Sequence, residues 1–529
     1  MLASTPRRGL RPIPPPRSSR RGEHASIDRP ASATKVGKPF DLSAAKPTGA
    51  PTWQLLKRHL YRQSGGLGWT QVQTISSLVY LCVAVHLTLV VCGRFPIRTI
   101  ALMALTTTIG LTSINSVLSS AKDRNRTTIL FLVHTTIALA LIAGQWNDVL
   151  SQSEGLWTYD PARYYYDAHR LAESAFSSAA LPSNNYMGVF YYYAAIFTIA
   201  GWNPVAPAIV NSLFTLMTIL LLQRKIRNIC TSDRYLLAFS SALLIPELIW
   251  FDAITSRETP AMFLFTCATL LWVKITPKGI GVSISSALPY LVSIGALMFV
   301  RGGLVVPAIC AVVSTLVLGR KSRVSVLIAP ALIVLTMVVA GTADYFSGTL
   351  GSDKTLKQLY DIGALGTRGS ESVWNSDSLG LKVIPNTWWQ IFLFAPVRLL
   401  IYIVAPFPAI CNYVGNLPQL MPFWWQAVAA SASAIVYVWR LPDAVANSVR
   451  SFKRRTPMVA LHTALWLGFF GIVLATPLIH ERYRVPIVPL YWAASCKLPG
   501  VTKSRGLTRL ILMLGLAIST VGYFLIKAN

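Results

Sequence analysis

Charge is what this sequence has least of: Asp, Glu, Lys and Arg make up only 13% of 529 residues, against 53% hydrophobic. One water-soluble core cannot absorb that apolar excess, so the composition implies a bilayer as solvent. Acids are scarcer than bases, 20 against 48, for a formal net charge of +28. The excess does not indicate nucleic acid, because the bases fall in short clusters between apolar runs of span length, as the positive-inside rule describes. Paired cysteines are missing too. Cys82, Cys92, Cys230, Cys267, Cys310, Cys411 and Cys496 lie scattered in or beside apolar runs. They read as small buried hydrophobes rather than a zinc site or disulfide framework. No internal repeat is visible, which counts against a secondary transporter built from inverted halves. No apolar run precedes about residue 72, which argues against a cleavable signal peptide.

Residues 1–70 form a basic tail in which Arg7, Arg8, Arg11, Arg17, Arg20 and Arg21 surround Pro12 and Pro14 to Pro16. Such a segment cannot bury a core and is expected to be disordered. Its charge places it in the cytoplasm, where contact with anionic headgroups is a secondary role.

A span needs about 20 apolar residues, and by that measure an all-α polytopic bundle of about thirteen spans is expected. They lie near 72–92, 99–119, 128–146, 205–223, 235–252, 259–275, 283–300, 302–318, 323–341, 421–439, 458–476, 485–498 and 507–526. The basic connections Lys122–Arg126, Arg224–Arg234, Lys274–Lys278, Arg320–Arg323, Arg440–Arg455 and Lys497–Arg505 then share the cytoplasmic side, with Arg94 and Arg98 the clearest exception. The apolar runs 188–200 and 389–405 are placed on the outer surface as interfacial helices. In the second, Arg398 would cost about 3 kcal/mol at the bilayer centre and Pro396 breaks the hydrogen-bond ladder. If both runs were spans instead, Arg224–Arg234 and Arg320–Arg323 would lie outside. Long extracytoplasmic loops follow at 147–204 and 342–420, with short outer turns at 253–258, 301 and 477–484. The chain thus divides into the tail, two leading helices over 71–127 and a catalytic-type module over 128–529.

Chemistry can meet water in those outer segments. The first contains Trp157-Thr158-Tyr159-Asp160-Pro161-Ala162-Arg163-Tyr164. A partly desolvated carboxylate at Asp160 would be a strengthened base toward a sugar hydroxyl. Asp160 also suits the cap of a helix beginning at Pro161, and the two roles are compatible. Arginines gather at the other outer turns: Arg257 beside Glu258, Arg301 before Gly302-Gly303, and Arg482 and Arg484 around Tyr483. Guanidinium forks pair bidentately with phosphate, so convergence there would hold the phosphate of a lipid carrier whose tail stays in the bilayer. Each arginine can instead snorkel or pair with an adjacent acid. His480 could act as acid or base, or be simply hydrogen-bonded.

Four segments together resemble the GT-C superfamily of membrane glycosyltransferases, which includes protein O-mannosyltransferases and the aminoarabinose transferases of lipid A. They are Asp160 to Tyr164; Tyr186-Met187-Gly188 through Gly201-Trp202-Asn203-Pro204 to Asn211-Ser212-Leu213; Arg257-Glu258-Thr259-Pro260; and Glu481-Arg482-Tyr483-Arg484-Val485-Pro486. The resemblance covers about residues 130–500. It implies Asp160 as general base and Arg482 and Arg484 as binders of donor phosphate, with Arg257 and Arg301 secondary. Glu258, Tyr483, Tyr164 and His480 belong to the same substrate-binding set. The implied partners are a polyprenyl-phosphate-linked sugar, a glycan, lipid or protein acceptor, and membrane lipid, in cell-envelope polysaccharide synthesis at a bacterial inner membrane. Neither cofactor nor metal is implied, and no nucleic acid. Many relatives carry Glu directly after the aspartate, where this chain has Pro161. A polymerase or ligase of lipid-linked oligosaccharide would share the chemistry, while a transporter or flippase would use the same arginines in a through-going cavity.

Overall fold

A computed structural model describes residues 69–93, 96–151, 160–177, 187–227, 238–276, 279–318, 388–405, 407, 421–475, 481–496 and 505–528. The basic tail, the run 323–341 and His480 lie outside them. In chain order the helices are α1 (Gln71–Cys92), α2 (Ile97–Val117), α3 (Ala121–Ser151), α4 (Asp160–Glu173), α5 (Met187–Ala200), α6 (Val205–Arg227), α7 (Pro246–Ala253) and α8 (Glu258–Leu270). A hairpin of β1 (Val273–Thr276) and β2 (Gly279–Val282) follows, pairing antiparallel with Val273 opposite Val282. Then come α9 (Ala287–Arg301), α10 (Val305–Leu318), α11 (Trp388–Val404), α12 (Met421–Arg454), α13 (Val459–Ala475), a 3₁₀ segment (Glu481–Ile487), α14 (Val488–Ser495) and α15 (Gly506–Ala528).

Among the described residues, five helical stretches are long and apolar enough to cross a membrane: α1, α2, Ala121–Gly144 of α3, α6, and the run Ala287–Leu318 that contains α9 and α10. This is a membrane-embedded, predominantly α-helical protein. α1 and α15 carry rows of exposed large hydrophobics, among them Ile75, Leu78, Val79, Leu510, Ile511 and Leu514, which lipid solvates and water does not. The run Ala287–Leu318 turns at Gly302–Leu304. Tyr290, early in α9, and Val312, late in α10, share one small cluster with β1, and β2 touches α10.

Several of the expected spans are shorter in the structure. Within 235–252 the described residues run from helical 238–240 through a 3₁₀ turn, Ser241–Leu244, to the eight residues of α7, which Pro246 opens at its first position. The region 485–498 begins in 3₁₀ form around Pro486 and continues as the eight-residue α14. α8 stops after 13 residues, at the β-hairpin. These pieces are buried on nearly every side, so protein rather than lipid surrounds them. α8 is the hub, packing on α6, α9, α10 and the Glu481–Ile487 segment.

The two runs assigned to the outer surface also form helices. α5 has 14 residues, about 21 Å at 1.5 Å per residue, short of a 30 Å hydrocarbon core. Its Gly188 lets α9 approach closely: a Cβ there would stand 2.8 Å from Cβ of Phe299. In α11, Arg398 is only 1% exposed and faces α11's protein neighbours rather than lipid. The lipid-exposure cost that motivated a surface position therefore does not apply to it.

Candidate functional site

The site is built on the four residues between α7 and α8. Burial leaves their backbone no water, so side chains from other helices satisfy it. The Tyr193 hydroxyl donates to the Ser256 carbonyl at 2.6 Å and accepts from the Ser256 amide at 2.9 Å. Asn211 Nδ2 donates to the carbonyls of Asp252 and Ile254, both at 3.3 Å. Thr255 Oγ1 donates to the Pro161 carbonyl at 2.7 Å, tying the turn to the first turn of α4, next to Asp160. Asp160 is the first residue of that helix.

The turn delivers Arg257 and Glu258 into a buried charge cluster. Glu258 Oε1 lies 3.8 Å from Arg257 Nε and 3.8 Å from Arg301 Nη1, which arrives from the end of α9. Both separations are ion pairs beyond hydrogen-bonding range. Glu258 Oε1 and Arg301 Nη1 are fully buried and make no hydrogen bond among the described residues. The Arg301 guanidinium stands 5.0 Å from the Tyr483 ring centroid and that of Arg482 stands 5.2 Å from it, while Arg482 Nη2 donates to the Tyr483 hydroxyl at 3.5 Å. Burial alone would raise the Tyr483 phenol, but the guanidiniums of Arg482, Arg257 and Arg301 together hold it below the ordinary tyrosine range. Among the described residues, three arginines gather around one carboxylate in surroundings where water screens little.

An apolar cavity of about 690 Å³ is lined by Gly188, Tyr191, Phe214, Pro260, Phe299 and Val300 among others. Pro260 follows Glu258 by two positions and Val300 precedes Arg301 directly. Glu258 and Arg301 of the cluster thus stand on the same turns of α8 and α9 as two of the cavity-lining residues.

The sequence-predicted residues divide. Arg257, Glu258, Arg301, Arg482 and Tyr483 are gathered into one cluster, and the backbone beside Asp160 is tied to its turn. Tyr164 is buried one helical turn after Asp160, edge-on to Phe190 at 5.5 Å. Arg484 goes elsewhere. It is 1% exposed, and its Nε donates to both Glu247 oxygens, at 3.2 and 3.0 Å. Its Nη1 donates to the carbonyls of Tyr402, Ile403 and Ala405, and its Nη2 to that of Ala430. Those first three carbonyls belong to the open C-terminal end of α11, which the guanidinium caps. The side chain expected to bind phosphate is thus saturated by protein.

Sequence reasoning passed over His134, Tyr193, Glu247 and Asp252, and quoted Asn211 without giving it a role. Three of them, His134, Glu247 and Asp252, are ionisable residues inside apolar runs, a signal that marks function or a buried pair by default. No protein family, curated protein or solved structure is significantly similar to this chain.

Proposed function

We propose that the protein is a GT-C-like membrane glycosyltransferase that moves a sugar from a polyprenyl-phosphate donor to an acceptor hydroxyl on the extracytoplasmic face. The full chain would cross the bilayer about thirteen times with its N-terminus in the cytoplasm. One observation carries the reading: a buried cluster of Arg257, Arg301 and Arg482 around Glu258 and Tyr483 is built on the same turns of α8 and α9 that contribute to the wall of an apolar cavity of about 690 Å³. An amphiphile with a phosphate head and an isoprenoid tail matches both halves.

The charge count fits the chemistry. The acceptor oxygen attacks the anomeric carbon, its proton passes to Asp160, and the bond from that carbon to the phosphate oxygen breaks with its electron pair. The donor is a phosphodiester of charge −1 and the departing polyprenyl phosphate approaches −2. The negative charge thus grows at the guanidiniums during the reaction, and preorganised cations there favour the late species over the early one. Arg257, Arg301 and Arg482 hold the phosphate, Glu258 spaces two of them, and Arg484 acts as a positioning residue for the Glu481–Ile487 segment.

The test uses purified protein in lipid nanodiscs with a radiolabelled polyprenyl-phosphate sugar and membrane acceptors. Wild type transfers label, and Asp160→Asn loses at least about a hundredfold of the rate expected of a lost general base while remaining folded. Unchanged turnover by Asp160→Asn removes that residue from the mechanism. Movement of labelled lipid between leaflets without covalent transfer would favour the rival, a flippase or transporter, for which the intramembrane pairs His134–Asp252 and Arg484–Glu247 are the supporting observation.

A further inference from the structure

Two atoms inside the arginine cluster have hydrogen-bonding capacity that the surrounding protein leaves unused. Glu258 opens α8 and Arg301 closes α9, and the two residues are 2% and 7% exposed. Glu258 Oε1 and Arg301 Nη1 lie 3.8 Å apart, too far to bond to each other, and neither atom has a hydrogen-bond partner among the described residues. Buried polar atoms are rarely left unbonded, so an orphaned donor and acceptor side by side in a candidate site mark where a ligand group belongs.

The pair has a definite polarity. A carboxylate oxygen can only accept and a guanidinium N–H can only donate. Whatever sits between them must therefore donate on one side and accept on the other, at about 2.8 Å from each. A phosphodiester fails, because all of its oxygens accept: it would satisfy Arg301 and press negative charge against Glu258. A hydroxyl passes, giving its hydrogen to Glu258 Oε1 and taking Nη1–H on its oxygen. Anchors 3.8 Å apart leave room for one such oxygen at bonding distance from both, or for two on neighbouring carbons.

We propose that Glu258 and Arg301 form a sugar subsite that binds the hydroxyl on the carbon next to the anomeric carbon of the donor. The subsite rests on the phosphate-binding role proposed for the arginines. With phosphate at the guanidiniums of Arg257, Arg301 and Arg482, a single bridging oxygen separates phosphorus from the anomeric carbon, and the hydroxyl on the next carbon is the nearest that the sugar presents. The acceptor hydroxyl does not compete for this place, since direct displacement brings it to the far side of the anomeric carbon from the phosphate. A guanidinium carries five N–H donors, so Nη1 can serve the sugar while the rest of Arg301 stays available to the phosphate. Glu258 thus selects among sugars while weakening the pull on the phosphate.

The test is equilibrium binding to the full-length protein in nanodiscs. Four ligands share one tail: geranyl monophosphate, and the geranyl phosphodiesters of glucose, of mannose and of the 2-deoxy sugar common to both, in the same anomeric form. Wild type is expected to bind one of the two epimers at least about tenfold tighter than the 2-deoxy ligand, because a site built around a hydroxyl is left with unpaired groups when that hydroxyl is missing. Glu258→Gln should cut this ratio to about threefold or less, since a neutral acceptor makes the weaker bond. The same variant should bind geranyl monophosphate about threefold tighter or more, because a negative charge has left the arginines. A residue that only spaced the guanidiniums would weaken every ligand, so uniform weakening of all four by Glu258→Gln overturns the proposal. Equal wild-type affinity for the 2-deoxy ligand and both epimers, as an ordered water between the two atoms would give, also overturns it and leaves the phosphate role standing. That wild-type series decides the matter by itself should Glu258→Gln not fold. Failure of geranyl monophosphate to bind the wild type would refute the phosphate role, and the sugar subsite falls with it.

Discussion

Arg482 and Arg484 stand two positions apart, and the structure sends their guanidiniums to different partners. Arg482 reaches the Tyr483 ring in the buried arginine cluster, while Arg484 is enclosed by Glu247 and four backbone carbonyls. The Tyr437 hydroxyl donates to Glu247 at 3.0 Å and completes that inner node. Arg484→Ala would leave the Glu247 carboxylate buried without its cation, a loss of about 3–5 kcal/mol. A thermal melt in nanodiscs should therefore show marked destabilisation, and an unshifted melt would refute the structural role. Tyr483 makes the opposite kind of prediction. Because three guanidiniums favour its phenolate, absorbance near 295 nm should reveal one tyrosine ionising at lower pH than the rest. Tyr483→Phe should abolish that early step, and its persistence would assign the step to another phenol. Sequence alone showed that several outer turns carry arginine. It could not show which guanidinium meets a carboxylate, because that depends on how the Glu481–Ile487 segment rotates against α8 and α11.

At the scale of elements, two short pieces beside the site, α7 and the 3₁₀ segment leading into α14, coincide with prolines in their apolar runs. Pro246 and Pro486 divide apolar runs whose length alone reads as spans. A hydropathy window registers composition and misses the break, which explains why α1, α2 and α6 were legible almost to their ends and the α7 region was not. Proline also frees backbone groups that need partners, and Tyr193, Asn211 and Thr255 provide them around the turn. The same logic applies to α9, where Gly188 of α5 admits Phe299. Gly188→Leu would force α5 away from α9 and fill the adjoining cavity. The expected outcome is weaker binding of geranyl monophosphate, with little change for inorganic phosphate, which has no tail to place. Unchanged binding of geranyl monophosphate would argue that the cavity and the arginines are not one site.

For the whole molecule, the proposed orientation places α4 outside and the basic end of α12 inside. Two single cysteines in a cysteine-free background test this. Ser177→Cys should react with a membrane-impermeant maleimide on intact cells, and Lys453→Cys only after permeabilisation; both positions are exposed. Labelling of both from the same side would invert the topology and remove the extracytoplasmic reading of the site. α12 itself carries a further consequence. Its 34 residues run unbroken through Pro442, about 51 Å at 1.5 Å per residue. To fit inside a 30 Å hydrocarbon layer it would have to lean by about 54°, more than the roughly 40° that spans reach, so even at that limit about 9 Å must protrude. The C-terminal turns, ending in Lys453 and Arg454, are the part equipped to stand among headgroups, and Asp443 below them is braced by Arg505 and Arg509 of the final helix region. On the proposed topology α12 would be a stalk that outreaches the membrane, and the depth of each helix packed on it would be measured from that stalk.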